Sequence, residues 1–395
     1  MSSFQISNHA WWVGVKDPGL RVFDIVMPTQ YGTTYNAYLV KGTQKVALID
    51  TVKKEFAEEY FANIASITPL ESIDYLIVNH TEPDHSGAIS QLLLKCPKIK
   101  IVCAGAALPF VRNVLNDETP LTAAKDDMVI DLGGATLVFK MMPYMHWPDT
   151  MMEFCPEDKV LYSCDGFATH LSEDSMFDEE VKGDLPHEMK YYFDAIMRPF
   201  TGYIRRNMPK LDKFDIEMVA PSHGPILRKF AKQFVQSYKD WSADKAANGP
   251  QVTIFYVSNY GNTGVLADTI EKELSGAGLG TELVEITSCP TERAQELIEK
   301  SSAVLIGTPT FNGDAPKPVW DLMNLFSTVY SIGKKAAVFG SYGWGGEGTK
   351  LIAERLASMK LKVYPEPFRA RLIPSKHEMS EARHFAGKVA EFVKG

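Results

Sequence analysis

The stretch His80-Thr81-Glu82-Pro83-Asp84-His85 decides the fold, because it places four potential metal ligands next to one another. A strand is predicted directly before it, over residues 75–79, and an apolar pattern of helical spacing follows it. In an extended stretch, side chains at positions i and i+2 point to the same side, so His80 and Glu82 can bind one metal ion. Asp84 and His85, at the turn into the helix, can face a second ion. The alternative is that Asp84 only caps the helix, since aspartate before an apolar run is a common N-cap.

Three further potential ligands follow strand-like runs later in the chain. They are His146 in Met145-His146-Trp147-Pro148-Asp149, Asp165 in Ser163-Cys164-Asp165-Gly166, and His223 in Pro221-Ser222-His223-Gly224. Each is a weak signal alone, because a single histidine is often an ordinary polar residue and Asp-Gly is a common turn. Together with the first stretch they supply four imidazoles and three carboxylates. Such ligands suit divalent iron or manganese, although the order of metal affinities by itself leaves zinc open.

Composition limits the classes of protein to which the chain can belong. It has 395 residues, of which 45% are hydrophobic, and this length predicts two or three domains. With 41 Lys and Arg against 49 Asp and Glu, the net charge is −8, which argues against coating nucleic acid or anionic membrane. The five cysteines form no CxxC pair, so neither a disulfide framework nor a thiolate metal site is indicated. We see no signal peptide or membrane-spanning run, so a cytoplasmic protein is expected.

The two halves of the chain differ in pattern. Residues 238–252 lose their apolar periodicity and gather small, charged and Gly-Pro residues, so we place a domain boundary near residue 248. Domain 1–248 carries predicted strands at 36–41, 46–50, 75–79, 135–141 and 160–163, and the mixture of hairpins and βα units indicates an α+β or layered α/β fold. Domain 249–395 alternates helical patterns with predicted strands at 252–257, 281–286, 303–307, 335–340 and 361–364. That alternation predicts a doubly wound, five-stranded parallel sheet, which binds ligands beyond the carboxyl ends of its strands.

A phosphate loop is predicted at the first of these strand ends, over Ser258-Asn259-Tyr260-Gly261-Asn262-Thr263. Hydroxyl groups, backbone N–H groups and the positive end of the following helix can hold a phosphate monoester there. The loop contains no lysine and matches neither GxxxxGK[ST] nor GxGxxG, which disfavours a nucleoside triphosphatase and a dinucleotide-binding fold. A small phosphate-bearing ligand therefore remains.

Two later loops follow the third and fourth predicted strands of the same domain. They are Thr308-Pro309-Thr310-Phe311-Asn312-Gly313 and Ser341-Tyr342-Gly343-Trp344-Gly345. Glycines let backbone amides approach the edge of a flavin ring, and aromatic side chains can cover its faces. The alternative is that these glycines and prolines only form turns, but three loops in register after the strands of one sheet favour a flavin site.

The metal-ligand pattern resembles that of the metallo-β-lactamase superfamily, whose zinc hydrolases carry His-x-His-x-Asp-His followed by downstream His, Asp and His. Glu82 stands where those hydrolases have their second histidine. With this replacement and the later His146, Asp165 and His223, the chain resembles the flavodiiron proteins, or A-type flavoproteins. The resemblance covers essentially the whole chain and implies an N-terminal metallo-β-lactamase-like αββα domain followed by a flavodoxin-like domain.

The resemblance also implies the cofactors, which are a non-haem pair of iron ions and FMN. By it, one iron is held by His80, Glu82 and His146, the other by Asp84, His85 and His223, and Asp165 bridges them. In some members the histidine that matches His85 does not bind metal, so this ligand stays open. FMN would occupy the loops 258–263, 308–313 and 341–345, although Ser258 and Tyr260 stand where flavodoxins usually have threonines.

The activity implied by the resemblance is reduction of dioxygen to water, of nitric oxide to nitrous oxide, or of both. The electron donor would be separate, rubredoxin or reduced coenzyme F420, and the chains would pair head to tail as a homodimer or homotetramer. His170, Tyr144 and Tyr35 are candidates for proton delivery. Two other classes stay open: a zinc hydrolase with an appended flavodoxin domain, in which Glu82 replaces a histidine, and a non-catalytic redox carrier or gas sensor.

Overall fold

The computed structural model describes residues 3–25, 27–243 and 251–395. Its contacts divide the chain into two compact units, Met1–Ala243 and Asp244–Gly395. The predicted boundary near residue 248 lies outside the described residues. In the part of the chain that the structure describes, no helix is both long and apolar enough to cross a membrane.

The strands of the first unit form two main sheets. In chain order they are β1 Phe4–Gln5, β2 Ala10–Trp12, β3 Val15–Asp17, β4 Val22–Phe23, β5 Met27–Pro28, β6 Thr33–Tyr35, β7 Tyr38–Lys41, β8 Val46–Ile49, β9 Tyr75–Val78, β10 Lys100–Ala104, β11 Leu121–Ala124, β12 Val129–Asp131, β13 Thr136–Met141, β14 Met151–Cys155, β15 Val160–Cys164 and β16 Met218–Pro221. Within the described ranges, the first sheet has the order β1-β2-β7-β8-β9-β10-β11 and the second β12-β13-β14-β15-β16, while β3 pairs with β6 and β4 with β5.

In the first sheet, the hairpin predicted from the sequence joins the antiparallel strands β1, β2 and β7 to a parallel part. Strands β7 and β8 pair antiparallel, with Tyr38 opposite Ile49, and β8, β9 and β10 pair parallel. A Cβ at Gly42, in the turn between β7 and β8, would lie 2.0 Å from the Leu132 carbonyl oxygen, so only glycine allows this contact with the second sheet. Strand β8 is buried throughout, which explains its continuous apolar run.

The second sheet packs with the first around one hydrophobic cluster, which includes Leu39 and Leu76 of the first sheet and Leu161 of the second. Strand β14 is absent from the sequence-based prediction, whereas β16 is the strand-like run expected before His223, and every residue of both is buried. The helices of this unit are α1 Ala57–Ala65, α2 Pro83–Ser86, α3 Ile89–Lys95, α4 Leu108–Leu115, α5 Leu185–Tyr192, α6 Thr201–Asn207 and α7 Ala231–Ser242.

The second unit has the predicted doubly wound parallel sheet. Its strands are β17 Val252–Tyr256, β18 Thr281–Glu285, β19 Ala303–Gly307, β20 Lys335–Tyr342, β21 Lys362–Val363 and β22 Phe368–Arg371, and its helices are α8 Asn262–Gly276, α9 Thr291–Lys300, α10 Lys317–Met323, α11 Thr328–Ser331, α12 Glu347–Ser358 and α13 Lys376–Lys394. The strand order over the described residues is β18-β17-β19-β20-β21, and all pairs are parallel. Separate clusters containing Phe255 and Ile254 cover opposite faces of the sheet.

The fifth strand position differs from the prediction of one strand over residues 361–364. Two short strands occupy it, because β21 pairs with the first part of β20 and β22 pairs with the last part. Pro365 and Pro367 lie between them. Proline has no N–H group to donate to a strand ladder, so the pairing is interrupted there.

Candidate metal centre and flavin site

The predicted metal ligands come from the ends of strands in both sheets of the first unit. His80 follows β9, and Asp84 and His85 lie in the single turn of α2. Glu82 occupies the N-cap position of α2 without a side-chain capping bond, so Asp84 is not the cap of this helix. The Asp84 carboxylate is therefore free to face the interior of the unit.

One group of donor atoms consists of His80, Glu82, His146 and Asp165, whose ligand atoms lie within 4.8 Å of one another. The His80 Nε2 atom is 3.0 Å from Glu82 Oε2 and 3.7 Å from Asp165 Oδ2. The His146 Nε2 atom is 3.5 Å from Glu82 Oε2 and 3.2 Å from Asp165 Oδ2. These atoms converge on one point.

A second group consists of Asp84, His85 and His223, again within 4.8 Å. His85 Nε2 lies 3.6 Å from Asp84 Oδ1, and His223 Nε2 lies 3.2 Å from Asp84 Oδ2. The same two imidazole nitrogens lie 3.2 and 3.3 Å from Asp165 Oδ1. The two oxygens of the Asp165 carboxylate thus face different groups, which is the arrangement of a bridging ligand.

Three of the four histidines are oriented by hydrogen bonds on the opposite side of the ring. His80 Nδ1 donates to Asp149 Oδ1 at 3.2 Å, and His223 Nδ1 donates to the Thr34 carbonyl oxygen at 2.7 Å. His85 Nδ1 donates to Asp50 Oδ2 at 3.4 Å. Such partners hold the ring and its tautomer so that Nε2 points at a metal. Sequence reasoning missed Asp50, Asp149 and Thr34. The available signal for Asp50 was a carboxylate directly after β8, and the available signal for Asp149 was its position close to His146 in the chain.

Charge within the cluster is balanced by contact between imidazoles and carboxylates. Burial by itself would raise the pKa of Asp165, but the neighbouring histidines, His85 first, hold that pKa well below its usual value. Burial would lower the pKa of His146 and His223, but the neighbouring carboxylates, Asp165 first, stabilise the protonated rings and raise these pKa values to about 10 and about 9. The free protein therefore holds protons that a divalent cation would displace.

The donor set fits a pair of metal ions. Both carboxylate oxygens of Asp84, Oδ1 of Asp165 and Nε2 of His85 are buried and have no hydrogen-bond partner among the described residues. Buried polar atoms without partners are costly, and coordination of a cation would satisfy all of them. Four imidazole nitrogens with three carboxylates are the hard and borderline donors that suit iron.

The aromatic residues near this cluster take different positions. The ring of His170 lies 5.1 Å from the ring of His223, and the ring of Tyr35 lies 5.9 Å from it. Tyr144 instead packs against Tyr203, with 4.2 Å between ring centroids. Of the candidates for proton delivery, His170 and Tyr35 are therefore the ones that adjoin a predicted ligand.

A cavity of about 210 Å³ in the second unit contains most of the predicted flavin residues. It is lined by Ser258, Asn259, Tyr260, Asn262, Pro309, Thr310, Phe311, Asn312, Ser341, Tyr342, Gly343, Trp344 and Leu372. The loop after β17 leads directly into α8, so the positive end of that helix lies at the cavity, as a phosphate group requires. Phe311 and Trp344 are 55% and 68% exposed, so their rings are available to a flat ligand.

The other predicted flavin residues, Gly261, Thr263, Thr308, Gly313 and Gly345, do not line the cavity. Thr263 is buried, and its hydroxyl lies 2.8 Å from that of Ser341, which ties the first loop to the third. Gly261 is the N-cap of α8 and has a φ of +83°, which glycine adopts without strain. Leu372 was missed because it follows β22, a strand absent from the sequence-based prediction.

Comparison with known proteins matches each unit of the chain to a known family. Residues 33–224 match the family described as ODP family beta lactamase, and residues 254–385 match flavodoxin. The flavo-diiron protein FprA2 of Clostridium acetobutylicum is 38% identical over all of both chains. The nitric oxide reductase of Moorella thermoacetica is 30% identical over 98% of this chain and 97% of its own. The solved structure of rubredoxin oxygen:oxidoreductase from Desulfovibrio gigas, 28% identical, superposes with a TM-score of 0.69 over 100% of this chain and 99% of its own. The chain therefore belongs to the flavodiiron protein family.

Proposed function

We propose that this protein is a flavodiiron oxidoreductase that reduces dioxygen to water, nitric oxide to nitrous oxide, or both. The observation that carries the proposal is the Asp165 carboxylate, whose two oxygens face two separate groups of donor atoms. The same chain contains a cavity lined by the three predicted flavin loops, and hydrolysis does not need such a site. The names of the relatives, nitric oxide reductase and rubredoxin oxygen:oxidoreductase, support the reductase over the zinc hydrolase.

The ligand assignment is part of the proposal. One iron is held by His80, Glu82 and His146, the other by Asp84, His85 and His223, and Asp165 bridges them. The position of His85 Nε2, 3.2 Å from Asp165 Oδ1, supports its inclusion. FMN is held by the loops 258–263, 308–313 and 341–345. When bound, the iron pair supplies coordination of the gas and electrons for its reduction, and FMN passes electrons from the donor to the iron pair.

Residues around the centre orient the ligands. Asp149, Asp50 and the Thr34 carbonyl hold three imidazole rings, so little rearrangement is needed when metal binds. We assign proton delivery to the side of His223, where His170 and Tyr35 lie. Burial holds the pKa of His170 well below its usual value, so its imidazole is neutral and can take part in a hydrogen-bonded proton path but does not store a proton.

The partners belong to the proposal as well. A separate electron donor, rubredoxin or reduced coenzyme F420, reduces the FMN, and the protein acts in the cytoplasm as a head-to-tail homodimer or homotetramer. In that pairing the flavin domain of one copy serves the iron pair of the other, so an isolated chain would turn over slowly. We keep 1–248 and 249–395 as the domain limits.

The test is anaerobic turnover of the iron-loaded, chemically reduced protein, with dioxygen and nitric oxide supplied separately. Rapid dioxygen uptake ending in water identifies an oxygen reductase, and nitric oxide loss with formation of nitrous oxide identifies a nitric oxide reductase. Failure with both gases, at full iron and flavin content, would replace the proposal with a redox carrier or sensor. Two zinc ions per chain together with ester or lactam hydrolysis would replace it with the hydrolase.

A further inference from the structure

A buried glutamate lies outside the proposed ligand set. Glu153 is in the middle of β14 and is 0% exposed, and neither of its carboxyl oxygens has a hydrogen-bond partner among the described residues. An ionised carboxylate without a partner is very costly in such surroundings. Burial raises the pKa of Glu153 well above its usual value, nearby Asn79 lowers it and Asp50 raises it further.

The polar side chains around Glu153 also lack hydrogen-bond partners among the described residues. The Met151 N–H at the start of β14 donates to the Asn79 carbonyl at 3.0 Å, which joins the two sheets at this point. Both side-chain amide atoms of Asn79 are buried without a partner. Tyr162, directly opposite Glu153 in the register of β14 and β15, has a buried hydroxyl that also lacks one.

Asn79 connects this polar region to the proposed ligand His85 through hydrogen bonds to Asp50. The Asn79 backbone N–H donates to Asp50 Oδ1 at 2.7 Å. The other oxygen, Asp50 Oδ2, accepts from His85 Nδ1 at 3.4 Å. Asn79 also precedes His80 in the chain. A change at Glu153 can therefore reach His85 through two residues.

We propose that Glu153 is an uncharged carboxylic acid that, with Asn79, positions Asp50 behind the His85 ring. The part that concerns His85 rests on the proposed function, because it takes His85 as an iron ligand. A neutral Glu153 leaves Asp50 as the single carboxylate against the His85 Nδ1–H group. Glu153 is thus a positioning residue and does not touch the metal pair.

Infrared spectroscopy tests the charge state without reference to activity. We expect the full-length wild-type protein at neutral pH to show the carbonyl stretch of a buried carboxylic acid, and E153Q to lack it. The matched control is E157Q, which changes an exposed glutamate just after the same strand and should keep the band. A wild-type spectrum without the band, or a band that persists in E153Q, would overturn the proposal.

Iron release to a chelator tests the positioning role. E153Q keeps a neutral polar side chain of the same size, so its rate of iron loss should match the wild type. E153L removes the polar side chain nearest the Asn79 amide, and we expect about tenfold faster loss of iron, at the lower end of effects seen for outer partners of ligands. A merely structural role predicts otherwise, since an apolar residue of similar shape can stabilise a core and would retain iron.

The outcomes separate this inference from the proposed function. Equal iron retention in E153L and wild type, with E153L folded by circular dichroism, would overturn the positioning role. The infrared band does not depend on which gas is reduced or on which metal is bound. A protein that shows the band but reduces neither gas would refute the proposed function and leave the charge state of Glu153 established.

Discussion

The substitution Asp149→Asn separates orientation of a ligand from the ligand itself. The two carboxylate oxygens of Asp149 accept three hydrogen bonds, one from His80 Nδ1 at 3.2 Å and two from the backbone N–H and hydroxyl of Thr81 at 2.9 and 2.5 Å. These contacts hold the pKa of Asp149 below its usual value against the effect of burial. An amide nitrogen in place of either oxygen would place a donor against a donor.

The size of the effect follows from the role of Asp149. Loss of a hydrogen-bonded partner behind a metal-binding histidine typically weakens metal binding by about 10- to 100-fold, or about 1.4–2.7 kcal/mol. The loss should fall on the ion held by His80. The ion beside His223 should be retained, because the Thr34 carbonyl that orients this ring is untouched. FMN content should not change.

The assay is competition with a chelator, with iron and flavin measured per chain. Asp158→Asn is a matched control, because Asp158 also accepts from a histidine ring, a backbone N–H and a hydroxyl, from His9 and Ser7, outside the proposed ligand set. The reasoning is refuted if D149N and D158N keep iron equally well. It is also refuted if D149N loses both ions at one rate.

Two other substitutions and one proton-release measurement give distinct results. Asp165→Ala should release both irons and leave FMN bound, since the loops belong to the other unit; retention of two irons by metal analysis would contradict the bridge. Thr263→Val removes a hydroxyl that joins two flavin loops and should weaken FMN binding by about fivefold in a fluorescence titration, with iron unchanged; equal affinity would exclude this role. Iron binding at pH 7 should release protons, because the pKa values of all four proposed ligand histidines are raised in the free protein, to about 10 for His146 and about 9 for His223. Release should decline and affinity should rise as the pH approaches those two values, and an indicator dye in weak buffer that shows no release at pH 7 would disprove the prediction.

Local patterns in the sequence were sufficient to predict the general fold and to propose the candidate ligands. His80 and Glu82 are two residues apart at a strand end, so the period of an extended chain already places them on one side. Alternating strands and helices after residue 250 predicted the parallel sheet, and its loops follow strand ends by rule. The exception in that sheet is the fifth strand, where Pro365 and Pro367 divide the pairing between β21 and β22. The prolines were visible in the sequence, but the return of the chain to β20 after them was not.

The sequence by itself determined which residues can bind metal and which loops can bind a flavin, because those properties depend on side-chain chemistry and short spacing. Only the tertiary structure decided which residues hold the ligand histidines by hydrogen bonds on the far side of each ring. Asp149 lies 69 residues from the His80 ring that it holds, and Thr34 lies 189 residues from His223. Glu153 reads in the sequence as one polar residue in an apolar run, and only the packing of β14 against the end of β9 makes it a buried acid next to Asn79. Contacts of this kind form when strands that are distant in the chain share a core, so no local sequence pattern predicts them.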